Sequence, residues 1–514
     1  MDVHFYLKRT DSVWKMANSF RQLIGKEKKM ITPKYDEIQN YLKDYSLIPI
    51  CKEIYSDVIT PISLLRRMET LDKNFFLLES VEGGEKWGRY SFLGYNPVLH
   101  VSCKDGVVTQ ISGEIKMECD TDGITTLRKL LEKYKSPKIK GLPTFTGGFV
   151  GYFSYEMIGY TEPKLNIKSS DFDDYNLMLF DKIIAFDHLK QKIFVIANMK
   201  SEDGIQGYNG ALLEIEKIIA MINDQTPLKK STSIEDVKFK CNLTKEEYCE
   251  MVNKTKDYIK EGDIFQGVIS RKFVADYKGS LLNAYRVLRT TNPSPYMYFI
   301  QSNYLQIAGA SPETMVKLVD GNLTTFPVAG TRPRGKNDEE DMRLEKELLA
   351  DEKELAEHNM LVDLARNDIG KISEYGSVYV KEYMKIHRFS KVMHIASTVC
   401  GTLRNNLDPC SAVEATLPAG TLSGAPKFRA CEIIDELEPE ARGVYGGAIG
   451  YIDLSGNLDV CIAIRTAVKK NDKVYVQAGA GIVADSIPEN EYMECENKAS
   501  AVIEAIKRGN EVNM

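Results

Sequence analysis

Apolar positions along this chain follow two periods. Short apolar runs bounded by Gly, Asp or Asn predict strands over 74–79, 98–101, 107–111, 182–186 and 192–197. Apolar residues at helical spacing predict helices over 35–45, 60–70, 125–135 and 210–222. Polar residues then dominate 223–241, where Pro227 and a Lys-Lys-Ser-Thr-Ser run mark a linker, placed at 226–242. Past it, Tyr248, Val252, Thr255 and Ile259 line one face of a helix over 244–261. A long charged helix is expected over 339–366 and another helix over 428–437. The chain closes with a strand over 474–477, a glycine turn and a helix over 489–508. Residues 1–29 read as a disordered extension. The expected parts are therefore that extension, an N-terminal domain over 30–225, the linker, and a catalytic domain over 243–508.

Composition narrows the function classes. With 43% hydrophobic and 27% charged residues, the chain has the balance of a soluble globular protein. A net charge of −6 argues against nucleic-acid binding, which calls for a basic stripe. No apolar run approaches the roughly 18–20 residues of a membrane span, and 1–29 lacks the apolar core of a secretory signal. The ten cysteines form no Cys-x-x-Cys pair, which disfavours zinc ribbons and suits a reducing cytoplasm. Neither a nucleophile elbow nor a phosphate-binding P-loop is present.

Chemistry gathers in the second half. Residues 417–427 read Leu-Pro-Ala-Gly-Thr-Leu-Ser-Gly-Ala-Pro-Lys and run into a helix. Thr421 and Ser423 there place hydroxyls near a helix start, where backbone N–H groups favour an anion. Glu354 and Glu357 share a helix face, with His358 beside them, and Glu491 and Glu494 repeat the spacing on the last helix. Four carboxylates on two helices repel unless a cation sits between them, and hard oxygen ligands suit Mg²⁺; each acidic pair alone would read as solvated surface. Gly479-Ala480-Gly481 fits a dinucleotide pattern, but Asp485 to Pro488 delays the helix that a Rossmann unit needs, so a backbone N–H nest for a carboxylate is expected instead. Arg465 lies in an apolar, strand-like run, where an arginine needs a partner, and Tyr445 is in a glycine-rich segment. His394 stands in an apolar context that by itself reads as structural.

These segments, together with Gly-Ala-Ser-Pro-Glu (309–313), Pro-Val-Ala-Gly-Thr-Arg-Pro-Arg-Gly (327–335), Asp-Leu-Ala-Arg-Asn-Asp (363–368), Gln-Ala-Gly-Ala-Gly-Ile-Val-Ala-Asp (477–485) and Glu-Asn-Lys-Ala (496–499), resemble the chorismate-utilising enzymes, most closely the anthranilate synthase component I branch. The resemblance covers about 30–508. It implies an α/β (α+β) fold of two domains built on large, mostly antiparallel sheets flanked by helices. It implies a Mg²⁺-dependent lyase that turns chorismate and ammonia into anthranilate and pyruvate, with a para-aminobenzoate-branch enzyme as the alternative. Glu357 and Glu494 then resemble the metal ligands, with Glu354 and Glu491 lining the site. Glu313 resembles the acid for the leaving hydroxyl, and His394 the histidine of the elimination. Thr421 matches a contact to the ring. Tyr445, Arg465, Gly479, Ala480 and Gly481 resemble the clamp on the enolpyruvyl carboxylate. Gln266 and Ala329, the latter beside Gly330 and Thr331 on the substrate side, stand where isochorismate and aminodeoxychorismate relatives carry lysines. The resemblance also implies a separate glutamine amidotransferase subunit as ammonia source. Tryptophan is implied as feedback inhibitor, bound by Ser80, Pro295, Tyr296 and Met297.

Overall fold

The computed structural model describes residues 31–80, 88–120, 123–228, 237–388 and 392–513. The predicted extension over 1–29 and the middle of the predicted linker, 229–236, lie outside these residues. The elements around the functional residues are, in chain order, strands β1 (Phe75–Glu79), β2 (Gln266–Asp276), β3 (Tyr296–Gln301), β4 (Gln306–Ser311), β5 (Val328–Pro333), β6 (Val392–Thr402), β7 (Thr466–Lys470) and β8 (Lys473–Ile482). The helices are α1 (Glu352–Gly370), α2 (Gly420–Ser423), α3 (Lys427–Leu437) and α4 (Pro488–Lys507).

Among the described residues, two sheets of 13 and 12 strands organise the fold. The first runs Ile31–Thr32, Leu47–Tyr55, Lys192–Lys200, Lys182–Asp187, Tyr90–Tyr95, β1, β3, β4, β7, β8, β2 and Lys240–Cys241. The second begins β5, β6, Asn322–Thr325, Thr314–Val319, Leu458–Ile462, Ala448–Asp453 and Gly148–Phe153, and ends at Ile115–Asp120. The pairings are antiparallel, including β1 with β3 and Ala448–Asp453 with Gly148–Phe153. These two ladders join chain from before residue 226 to chain from after 242, so the segments on either side of the predicted linker share both sheets.

Apolar residues on both faces of the strands hold the layers together. Phe75 and Leu77 of β1 enter the core under the helices, while Phe76 enters the layer between the sheets. Ile184 and Phe186 against Ile183 and Ala185 divide the same way. Burial on two faces is why these strands read as continuous apolar runs. Pro61–Leu71, Gly204–Asn223, Leu282–Thr291 and α4 cover the outer face of the first sheet, and Gly123–Lys133 and Pro409–Thr416 pack on the second. Helix starts follow their caps. Thr60 accepts the Ser63 N–H ahead of Pro61, and Thr244 with Glu247 forms a capping box at Lys245–Glu261.

The structure corrects two expectations near the site. The charged helix predicted over 339–366 is two helices, Asp338–Ala350 and α1. Asp351 divides them, leaving the helical region at ψ 102° and accepting the N–H groups of Lys353 and Glu354 with its side chain, as an N-cap does. The glycine turn predicted after 477 is the continuation of β8 to Ile482.

Candidate active site

Glu313 lies where the chain leaves β4 in the first sheet and enters Thr314–Val319 in the second. Its carboxylate accepts from Thr421 Oγ1 at 3.1 Å. Burial pushes its pKa up to about 8, and the Thr421 bond and the Lys498 charge only partly offset that. At neutral pH it is a carboxylic acid holding its proton.

Thr421 reaches Glu313 because of the 417–427 stretch. After α2, Gly424–Ala425 pairs with Gln266–Gly267 of β2 before α3 begins. Gly424 has φ +127°, and a Cβ there would stand 2.0 Å from the Gln266 carbonyl oxygen, so only glycine fits. Ser423 Oγ donates to the Ala419 carbonyl at 3.0 Å. With both hydroxyls so engaged, the stretch clamps the acid, in place of the helix-start anion site expected from its sequence.

His394, on β6, faces a bulge in β5. The register slips between Ala329, paired with Ile395, and Thr331, paired with His394, and Gly330 between them has φ +66°. His394 Nδ1 lies 3.1 Å from the Gly330 carbonyl and 3.0 Å from Thr331 Oγ1. A carbonyl only accepts, so Nδ1 carries the hydrogen and Nε2 keeps the basic lone pair. Burial and the nearby Arg465 charge hold the imidazole below its usual range, hence neutral at pH 7.

Arg465 sits in the break between Leu458–Ile462 and β7, not in a strand, with a left-handed φ of +52°. Its Nη1 donates to the Lys498 carbonyl at 3.1 Å. A non-glycine residue in that region is strained, and such strain concentrates where a side chain must point one way. Tyr445 is buried, which raises its pKa and keeps its hydroxyl a donor. Gly479 and Gly481 pair with Ser270 and Val268. Ser270 gives its N–H to Glu438 and Val268 its carbonyl to Arg442, so neither points at β8. By the alternation of an antiparallel ladder, the N–H groups of Gly479 and Gly481 face away from β2, while Ala480 bonds inward. The predicted nest is thus a strand edge that presents alternate N–H groups.

Glu357 of α1 lies within reach of the charges of Glu354 and of Glu494 on α4. Gln266 Nε2 donates to Glu357 Oε1 at 3.2 Å. Burial raises the pKa of Glu357; the Gln266 bond opposes this, and the Glu354 and Glu494 charges add to it. Glu491 is raised by burial and by Glu494 as well. Among the described residues no three His, Cys, Asp or Glu side chains form a ready-made metal cluster. Gln266 Oε1, however, is buried without a hydrogen-bond partner. A carboxylate on each helix and the Gln266 amide oxygen are hard-oxygen donors of the kind that suits Mg²⁺, an ion commonly completed by water and substrate oxygens.

Two basic residues join the site that the sequence reading left without roles. Lys498 Nζ bridges Glu494 Oε1 at 2.5 Å and the Gly479 carbonyl at 3.0 Å. Its signal was a position one turn after Glu494, inside the 496–499 motif. Arg332 pairs with Glu354 at 3.2 Å and with Asp351 at 2.8 Å.

The residues of the expected inhibitor site form a second group. Met297 pairs with Glu79, so Ser80 falls beside Tyr296. Met297 is buried in the helix-side core, while the Tyr296 ring packs into the layer between the sheets. Adjacent strand residues point to opposite faces, so the two meet a common ligand only at the strand end formed by Pro295 and Ser80. Tyr296 Oη donates to Asp459 at 2.8 Å and accepts from Thr314 at 3.0 Å.

Residues 74–504 match the chorismate binding enzyme family. Anthranilate synthase component 1 of Acetivibrio thermocellus is 46% identical over 494 residues, covering 94% of this chain and 100% of its own. The Aquifex aeolicus protein of the same name is 43% identical over 480 residues, covering 92% of this chain and 97% of its own. The crystal structure of anthranilate synthase component I from Streptococcus pneumoniae superposes with a TM-score of 0.74 at 39% identity, covering 87% of this chain and 98% of that one.

Proposed function

The chain belongs to the chorismate binding enzyme family, and from that premise we propose that it converts chorismate and ammonia to anthranilate and pyruvate through aminodeoxyisochorismate, the first step of tryptophan biosynthesis. The names of its relatives favour this over the para-aminobenzoate branch.

The observation that carries the reading is Glu313, a buried carboxyl with its pKa near 8 and one hydroxyl on it. Hydroxide leaves a ring poorly unless a proton reaches it. As ammonia nitrogen bonds to ring carbon 2, the double bonds shift and the C4–O bond breaks. Glu313 gives its proton to that oxygen, which departs as water, and takes one back from the ammonium formed at C2, leaving the amine. Nε2 of His394 then takes the C2 proton while the bond between C3 and the enolpyruvyl oxygen breaks. The ring becomes aromatic, and the enolpyruvate gains a proton on its methylene carbon to become pyruvate. Tyr445, Arg465 and the N–H groups of Gly479 and Gly481 hold the enolpyruvyl carboxylate. Glu357 and Glu494, with Glu354 and Glu491 beside them, would hold Mg²⁺, which supplies a charge for the ring carboxylate and withdraws electrons from the ring. Gln266 and Ala329 offer no lysine to activate water or to attack the ring, which leaves ammonia as the nucleophile. We place its source in a glutamine amidotransferase subunit, tryptophan as inhibitor at Ser80 and Pro295, and the enzyme in the cytoplasm. No helix among the described residues is long and apolar enough to cross a membrane.

Incubating the purified chain with chorismate, Mg²⁺ and ammonium tests the reading. Anthranilate and pyruvate should appear in equal amounts. Isochorismate or 4-amino-4-deoxychorismate as the main product overturns it.

A further inference from the structure

A buried cation reaches several parts of the site from behind. Arg442 is 3% exposed. Its guanidinium donates to both carboxylate oxygens of Glu438, at the end of α3, at 2.9 and 2.6 Å. Nη1 also donates to the Leu422 carbonyl at 2.6 Å, and Nη2 to the Val268 carbonyl of β2 at 2.7 Å. The guanidinium carbon stands 4.6 Å from the centre of the Tyr155 ring and 5.7 Å from that of Tyr445. Glu438 Oε1 accepts the N–H and the hydroxyl of Ser270 besides, both at 2.8 Å.

Stability alone does not call for this arrangement. A buried ion pair is often replaceable by apolar side chains of similar volume without loss, so what it adds here is geometry. The four residues of α2 are too few to hold their own shape, and carbonyls at a helix end lack partners within the helix. Arg442 gives a partner to Leu422, the neighbour of Thr421, whose hydroxyl lies on Glu313. On its other side the chain is fixed as it leaves Arg442. Glu156 accepts the Gly443 N–H at 2.8 Å, and the Gly443 carbonyl accepts the Tyr155 N–H at 2.9 Å. Tyr445 follows directly, so the same anchor places its ring.

We propose that Arg442 is a positioning residue of the reaction, which holds Thr421 against the acid and Tyr445 in the carboxylate clamp from one guanidinium, with Glu438 as its anchor. The proposal rests on the anthranilate-forming reading above. The bonds to Glu438, Leu422 and Val268 leave from three nitrogens of a rigid fork. A lysine ammonium offers its donors from a single point and does not reproduce that spread.

Arg442→Lys tests this, because it keeps the charge and loses the fork. With ammonium as the nitrogen source, the alkaline limb of kcat should move to higher pH, since Glu313 loses the hydroxyl that favours its ionised form. The Lys498 charge, which also bears on Glu313, is left in place. KM for chorismate should rise about threefold or more through Tyr445, the worth of a cation held over a ring. In the Thr421→Val background Arg442→Lys should move the limb no further, because the hydroxyl it positions is gone. A merely structural arginine would lower the unfolding temperature and leave both measures of the folded protein where they were. Either measure staying at the parental value overturns the proposal, as does a limb that moves again in the double variant. If Arg442→Lys fails to fold by circular dichroism, Glu438→Asp, which draws the anchor back by one methylene, decides on the same measures. Failure of the underlying reading shows separately, as a parent protein that makes no anthranilate from chorismate and ammonium.

Discussion

Thr421 donates its hydroxyl hydrogen to the Glu313 carboxylate across 3.1 Å, joining positions 108 residues apart in the chain. The bond favours the ionised carboxylate and burial opposes it, and the balance stands near 8. Since the protonated form does the work, kcat at constant free ammonia and saturating chorismate should hold below pH 8 and fall as pH rises through it. Removing the donor in Thr421→Val should move this alkaline limb to higher pH, because the carboxylate loses a stabilising partner. Glu313→Gln should lose about 100-fold or more in kcat, the ordinary contribution of a general acid. A pH profile of the three proteins checks all of this, and a limb that stays put in Thr421→Val separates the hydroxyl from the acid.

Gly479 lies under the hydroxyl of Tyr445. A Cβ at 479 would stand 2.8 Å from Tyr445 Oη and 2.8 Å from the Ile269 carbonyl oxygen. Backbone cannot step aside as a side chain can, so Gly479→Ala should destabilise by about 1–3 kcal/mol, as overpacking does. The displaced Tyr445 should also weaken chorismate binding, giving a higher KM. Thermal unfolding and steady-state kinetics measure the two effects. A stable variant with parental KM would show that neither the ladder nor Tyr445 is tightly placed.

Much of this was legible in the sequence because it was local or chemical. Caps such as Thr60 and Thr244 lie beside the helices they start, and Glu313, Glu357, Glu494 and Tyr445 stand out by residue type and motif. Asp351 was missed because a cap inside a charged run looks like one more charge. Gly479 to Gly481 read as a turn because the need for their small size comes from Tyr445 and Gln266, which contact them only after folding. Pairing of Gly424–Ala425 with β2, and the Lys498 bridge, likewise depend on chain brought together from far apart. Both-face burial hid the alternation that would have marked individual strands.

Glu357 and Glu494 should govern the response to Mg²⁺. Glu357→Gln removes a carboxylate that burial and its neighbours already disfavour, so the fold should tolerate it within about 0.5 kcal/mol. Anthranilate formation should nevertheless be lost at Mg²⁺ concentrations that saturate the parent, and chelation of the parent with EDTA should match it. Glu494→Gln should behave alike, although freeing Lys498 adds a lesser effect on the Gly479 edge. Titrating activity with Mg²⁺ after confirming unfolding temperatures checks this, and near-normal activity in either variant would return these glutamates to ordinary helix surface.

Ser80 and Tyr296 lie side by side at the seam where β1 meets β3, and Tyr296 is tied through its hydroxyl to Thr314, the residue after Glu313. A ligand at that strand end can therefore bias the acid without touching chorismate. If tryptophan is that ligand, Ser80→Phe should fill its place and desensitise the enzyme while leaving kcat near the parent value. Tyr296→Phe should do something different: tryptophan should still bind, but with the link to Thr314 cut it should inhibit less. Linkage requires chorismate to weaken tryptophan binding by the factor with which tryptophan weakens chorismate binding, typically about 5–150-fold. Calorimetric tryptophan binding with and without chorismate, alongside inhibition curves, measures that factor from both sides. Unchanged inhibition in Ser80→Phe would move the inhibitor elsewhere, and equal loss of binding and inhibition in Tyr296→Phe would make the tyrosine part of the pocket wall and not of the coupling.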